Sequence, residues 1–404
     1  MTDVAGDTLK LSRPENDILI CASRRELEAR EVATLRELLS LPIDWEYLLN
    51  TARQHGLIPL LHKHTSKGLS DLIPKVFQAS LKRESVTNAQ SVLYLADKTL
   101  KLNKLFSDHH IPIAIFKGPI LSEIAYGEIA LRQAGDIDVL ISREGFVHAK
   151  ELLESLGYQM HPQLTAAQQA SHLSSHCEIQ FMRDDWFTVV DLHWGLAPRS
   201  FVFGLTGEEV MSRLQTVSFA GSHVHTFSHE DLLLYQAMHG AKHLWRRLES
   251  IASLAELVDS LEPVAWPVVV ERTVGARATR ILGLGLRLAE NLFGTMVPVE
   301  VLKVIDGEGV MRNFAKQIAA ELFATRSPWA DSTDTNLYNL KIMDRKRDAL
   351  VSALRAVFVP TLSDWEALSL PAPLHALYYA VRPLRLSRIY SAALLRKILH
   401  TDAR

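Results

Sequence analysis

The sequence predicts an α/β (α+β) core with a mixed sheet, flanked by all-helical regions on its N-terminal and C-terminal sides. Apolar residues recur at helical spacing up to about residue 106 and again beyond residue 230. Between these stretches, short runs rich in β-branched and aromatic residues alternate with helical patterns. At 404 residues the chain is also too long for one ordinary core. The expected division is a helical region at 1–106, a core at 107–228 and a helical domain at 229–404.

The first element expected is a helix over RRELEAREVATLRELLSL with Ser23 as its N-cap, followed by a second amphipathic stretch in DWEYLLNTARQHGLIPLLHKHT. At Ile111 the character changes. IPIAIF reads as a short buried strand bounded by His109-His110 and by the turn Lys117-Gly118-Pro119. A helix to Tyr126 follows, then a strand from Asp136 to Ile141, then a helix from Glu144 to Leu156 closed by Gly157. CEIQFM at 177–182 and WFTVVDLHW at 186–194, joined by the charged turn Arg183-Asp184-Asp185, read as a hairpin. Helical periodicity then returns, ending in a tail with Arg382, Arg385, Arg388, Arg396, Lys397 and Arg404 against the single acid Asp402. That tail reads as a terminal helix docking its apolar stripe, with Tyr378 and Tyr379 in the core, or as a membrane-surface or RNA contact.

Composition narrows the function classes. Apolar residues make up 48%, and 44 Lys plus Arg stand against 46 Asp plus Glu, so the chain is an ordinary globular protein without a global field for nucleic acid. Cys21 and Cys177 are the only cysteines, which argues against a disulfide framework and fits a reducing compartment. The charged N-terminus has no secretory apolar run, and no uncharged stretch reaches the ~20 residues of a membrane span. A cytoplasmic location is expected.

The chemistry concentrates in GDIDVLI. Residues i and i+2 of a strand share a face, so Asp136 and Asp138 present two carboxylates about 7 Å apart while Ile137 and Val139 face the core. Carboxylate pairs of this kind suit magnesium, which takes oxygen ligands, water and substrate phosphates. Asp191 in VVDLHW supplies a third carboxylate on a strand expected in the same sheet. Just upstream, Lys117-Gly118 lies on a strand-to-helix turn where backbone N–H groups can hold a triphosphate, with Lys117 as a point charge or as a solvated turn lysine. His239 and His243 lie four apart on one helical face. They could hold zinc, face the substrate or simply pack; no glutamate stands between them, and His193 is equally open.

The segments FKGPILSEIAYGEIALRQAGDIDVLI, LGY at 156–158 and VDLHW resemble the uncharacterised bacterial nucleotidyltransferase family of the DNA polymerase β-like superfamily. HGAKHLWRRLESIASLAEL and DWEALSLPAPLHALYYAVRPLRL extend that resemblance over most of the chain. It implies that Asp136, Asp138 and Asp191 bind Mg²⁺ (or Mn²⁺), and that Lys117 and Gly118 face the nucleotide phosphates. It also implies that Arg132 contacts phosphate, although an ion pair fixing the loop before Asp136 explains that arginine as well. Apart from the resemblance, His193, His239 and His243 are candidates for the acceptor side. Two departures stand out: Lys-Gly-Pro at 117–119 replaces the superfamily's Gly-Ser or Gly-Gly, and Ser253 stands where related sequences often carry aspartate. The expected function is transfer of a nucleoside monophosphate from an NTP to an unknown hydroxyl or amine with release of pyrophosphate. The alternatives are a non-catalytic nucleotide- or protein-binding module and a hydrolase with its metal at His239 and His243.

Overall fold

The computed structural model describes residues 13–183, 188–260, 264–306, 309–324, 332–368 and 370–401. The expected turn at Asp184-Asp185, the strand start at Trp186 and the side chains of Arg396, Lys397, Asp402 and Arg404 lie outside what it describes.

Helices α1 (Pro14–Cys21), α2 (Ala29–Leu39), α3 (Trp45–His55), α4 (Ile58–Ser66) and the long α5 (Lys75–Asp108) come first. The core follows as β1 (Ile113–Ile115), α6 (Gly118–Tyr126), β2 (Asp136–Ile141), α7 (Phe146–Ser155), β3 (Tyr158–His161), α8 (Ala166–Ser175), β4 (Glu178–Arg183) and β5 (Val189–His193). A short α9 (Gly207–Met211) and a hairpin, β6 (Gln215–Phe219) and β7 (Ser222–Thr226), lead into α10 (His229–Lys242) and α11 (Leu248–Ser260). The remaining elements are α12 (Trp266–Gly275), α13 (Thr279–Phe293), α14 (Val299–Asp306), α15 (Val310–Glu321), α16 (Ser332–Ile342), α17 (Lys346–Phe358), α18 (Leu362–Ala367) and α19 (Tyr378–Thr401).

Local chemistry explains several boundaries. Ser23 caps no helix. Its hydroxyl donates back to the Leu19 carbonyl at 2.5 Å at the end of α1, and the capping box of α2 is built by Glu28 and Glu31. The second amphipathic stretch is two helices, because Gly56 turns left-handed (φ 76°) between them. Asp44 caps the first by accepting the Tyr47 N–H at 3.0 Å. Tyr378 is buried as expected and its hydroxyl donates to the Leu368 carbonyl at 2.6 Å, whereas Tyr379 is half exposed rather than in the core.

The five-stranded sheet has the order β1-β2-β5-β4-β3. β2 and β5 run parallel, and every other neighbouring pair is antiparallel, so the sheet is mixed. One face, carrying Ile137, Val139, Val190, Leu192, Ile179 and Phe181, packs into a core with residues of α5 and α7. A larger apolar cluster joins α1–α4, α6, α10, α11, α13 and α15. Residues from all three expected segments therefore share a core.

One buried histidine ties the N-terminal helices to α11. His55, 6% exposed, accepts the Leu248 N–H on Nδ1 at 3.1 Å. Burial, helped by the charge of Arg247, lowers it from 6.5 to about 4. Below 6.5 the unfolded chain takes up this proton first, so stability present above pH 6.5 is lost as pH falls toward 4. The effect is on the order of 3 kcal/mol. Urea unfolding at pH 7 and pH 5 is expected to show a larger loss for the wild type than for His55→Asn.

Candidate metal and nucleotide site

The site grows out of sheet register. Residues paired across strands point to the same face, and the register sets Asp138 beside Asp191, Gln180 beside Asp191, and Glu178 beside His193. Asp136 and Asp138 on β2, Asp191 and His193 on β5 and Glu178 on β4 thus share one face, opposite the apolar one. Asp138 is almost fully buried and Asp191 nearly so.

Asp138 is the hub. Its Oδ1 accepts from Lys117 Nζ at 2.5 Å and stands 3.0 Å from His193 Nε2. The other ring nitrogen of His193 lies 3.1 Å from Glu178 Oε2, and Glu178 Oε1 lies 3.5 Å from Lys242 Nζ. A line of polar contacts therefore runs Lys117, Asp138, His193, Glu178, Lys242. Lys117 is roofed by aromatic rings, 5.6 Å from Phe116 and 5.7 Å from Tyr235.

Negative charge outweighs positive charge here, and the titration of the aspartates follows. Burial alone would raise Asp138, but Lys117 and His193 hold it well below the carboxylate range. Asp136 has no such cation against it, and burial with the charges of Asp138 and Asp191 pushes it up to about 6. Asp191 is raised by burial and by Asp138. Among the described residues, Asp138 Oδ2 and Asp191 Oδ1 are buried without a hydrogen-bond partner. Ligand atoms of Asp138, Asp191 and His193 all lie within 4.8 Å of one another. Orphaned hard oxygens in a cluster with surplus negative charge fit a divalent cation of the magnesium type.

Gly118 explains why the turn beside the site is tight. It is left-handed (φ 59°), and a Cβ there would lie 3.3 Å from the Asp136 carbonyl oxygen. The turn thus packs on the backbone of the strand that carries the aspartates, at the N-terminus of α6, where Pro119 occupies the first turn. Gly118→Ala is expected to cost about 1–2 kcal/mol in urea unfolding.

Arg132 is placed against Glu249 of α11 at 3.0 Å, and its N–H donates to Ser122 Oγ at 3.2 Å, the arrangement of a loop anchor. His239 and His243 have rings 4.5 Å apart, but among the described residues they join no group of three metal-ligating side chains. Burial, with Lys117 nearby, pushes His239 well below the usual imidazole range. Ser253 is buried 3.3 Å from the Tyr126 hydroxyl, between α11 and α6. Sequence reading missed Glu178, Tyr235 and Lys242. The one signal for Glu178 was its alternation with Ile179 and Phe181, which turns a charge to the face opposite the core.

Comparison with known proteins gives two findings. A family model described as an uncharacterised nucleotidyltransferase matches residues 42–294, more than half of the chain. Among solved structures, the solution structure of the antibiotic-resistance factor ANT(2'')-Ia is similar at 15% identity, covering 58% of this chain and 96% of that one with a TM-score of 0.24. No curated protein matches the chain.

Proposed function

Since the chain belongs to the uncharacterised nucleotidyltransferase family, whose model spans residues 42–294, we propose that it moves a nucleoside monophosphate from an NTP to an acceptor hydroxyl or amine and releases pyrophosphate. In this reading residues 107–228 form a polymerase β-like catalytic core between helical regions at 1–106 and 229–404. The observation that carries the proposal is the pair of orphaned, buried carboxylate oxygens, Asp138 Oδ2 and Asp191 Oδ1, on parallel neighbouring strands.

Asp136, Asp138 and Asp191 would hold Mg²⁺ or Mn²⁺, which when bound supplies Lewis-acid stabilisation of charge on the phosphates. Asp191, whose carboxyl is raised by burial and Asp138, takes the acceptor proton. The amides at the start of α6 face the triphosphate, and Lys117 adds a cation beside them. Tyr235 and Phe116 keep water from Lys117. His193, whose Nε2 meets Asp138 Oδ1 at 3.0 Å, fixes the orientation of the Asp138 carboxylate.

One observation favours a second reading, a non-catalytic nucleotide- or protein-binding module: the Lys117 ammonium already occupies Asp138 Oδ1. The test is transfer of label from each α-labelled NTP in Mg²⁺ or Mn²⁺ with a cell extract as the acceptor source. Labelled product with pyrophosphate release, absent in Asp136→Ala/Asp138→Ala, supports transfer. Binding of NTP without transfer supports the module. Binding of neither nucleotide nor metal defeats both.

A further inference from the structure

Helix α17 is turned the opposite way from an ordinary surface helix. Its polar and small residues hold it to the protein: Ser352 donates to the Ser200 carbonyl, Arg355 to the Arg199 carbonyl at 3.0 Å, and buried Asp348 pairs with Arg277 at 3.4 Å. Its apolar residues face outward. Leu350, Leu354, Val357 and Phe358, spaced i, i+4, i+7 and i+8 and so on one face, are 59%, 49%, 39% and 46% exposed. Lys346 and Arg347, both exposed, stand one turn before Leu350 on that same face.

The neighbouring helices continue the pattern. α16 packs against α17 and exposes Leu337 and Leu340. α19 packs against α17 as well, through Arg382 donating to the Ala356 carbonyl at 2.7 Å, and exposes Tyr379, Leu384, Arg388 and Ile389. The same stretch of sequence is basic. Residues 345–404 hold ten Lys and Arg against four Asp and Glu, although the whole chain has a net charge of −2.

We propose that the outward face of α17, continued by the exposed apolar residues of α16 and α19, docks on an anionic membrane surface. Apolar side chains interspersed with cations suit the boundary between anionic headgroups and acyl chains. Seven of these nine exposed apolar side chains are aliphatic, and only Phe358 and Tyr379 offer a ring on which the bases of single-stranded nucleic acid stack. None of the described helices is long and apolar enough to cross a membrane, so the attachment is peripheral. It does not depend on the catalytic reading.

The test is co-sedimentation of the full chain with vesicles of phosphatidylcholine alone, or of phosphatidylcholine and phosphatidylglycerol in equal parts. The protein is expected to pellet with the anionic vesicles, to leave them as NaCl is raised, and to stay in solution with the neutral ones. Leu354→Asp/Phe358→Asp is expected to lower the partition coefficient about tenfold with an unchanged melting temperature, since both side chains are exposed. Should that variant fail to fold, Lys346→Glu/Arg347→Glu decides the matter by the same loss. No pelleting with anionic vesicles overturns the proposal. So does equal pelleting with both vesicle types, or the same variants abolishing self-association or RNA binding without any vesicle binding.

Discussion

Asp138→Asn is expected to lower nucleotidyl transfer by about 1,000-fold or more, the loss of several kcal/mol of transition-state charge stabilisation, and to destabilise the protein as well. The second effect is the less obvious one. Asp138 is the buried, shared partner of Lys117 and His193. An asparagine keeps the volume but leaves the buried ammonium without its counter-charge, at a cost of about 3 kcal/mol. Steady-state transfer assays and urea unfolding in EDTA read the two consequences separately. An active Asp138→Asn protein would remove the aspartate cluster from the mechanism. An inactive one of wild-type stability would show that Lys117 does not depend on Asp138 as the geometry has it.

Asp136→Asn is expected to lose activity to a similar extent while making the metal-free protein more stable. Its carboxyl is raised from 3.8 to about 6 by burial, by Asp138 and by Asp191, so the ionised form costs the native state at neutral pH. A group protonated more readily in the folded than in the unfolded chain lowers stability above pH 6, and that loss is relieved as pH falls from 6 toward 3.8. In EDTA at pH 7.5 the variant should therefore be more stable by about 2 kcal/mol, with the difference vanishing near pH 4. Millimolar Mg²⁺ should reverse the order, because a cation that binds only the folded wild type stabilises it by mass action. Thermal melts of both proteins with EDTA and with Mg²⁺ check this. An unchanged order in Mg²⁺ would count against a cation at these carboxylates.

The two expectations have opposite signs for aspartates two residues apart on one strand, and that contrast was not legible in the sequence. Periodicity located β2 to the residue and put Asp136 and Asp138 on a common face, because a run of β-branched residues interrupted by acids has only one such reading. It did not find that Lys117, 21 positions away, reaches Asp138. The contact depends on where the β1–α6 turn folds back, which Gly118 decides by lying against the Asp136 backbone. The adjacency of Asp138 and Asp191 likewise comes from a parallel pairing between strands distant in sequence, which no local pattern encodes. The hairpin β6–β7 went unread because its strands carry Ser, Thr, His and Gln at most positions, leaving only Val217, Phe219 and Val224 as apolar marks of the buried face. Helices were easier to read, yet their ends shifted where glycine or a capping glutamate, not the first serine, set the boundary.

The strand order governs how the chain can be assembled. β5 is the last of the five strands to be synthesised, yet it takes a central place, between β2 and β4. Until Val189 to His193 emerge from the ribosome, β2 has one open edge, the β3–β4 pair has another, and the aspartates of β2 have no acidic neighbour on the next strand. Closing the sheet is then a single late insertion that brings like charges together and seals two sticky edges in the same event. A nascent chain stalled before β5 is thus a client for chaperones rather than a smaller folded protein.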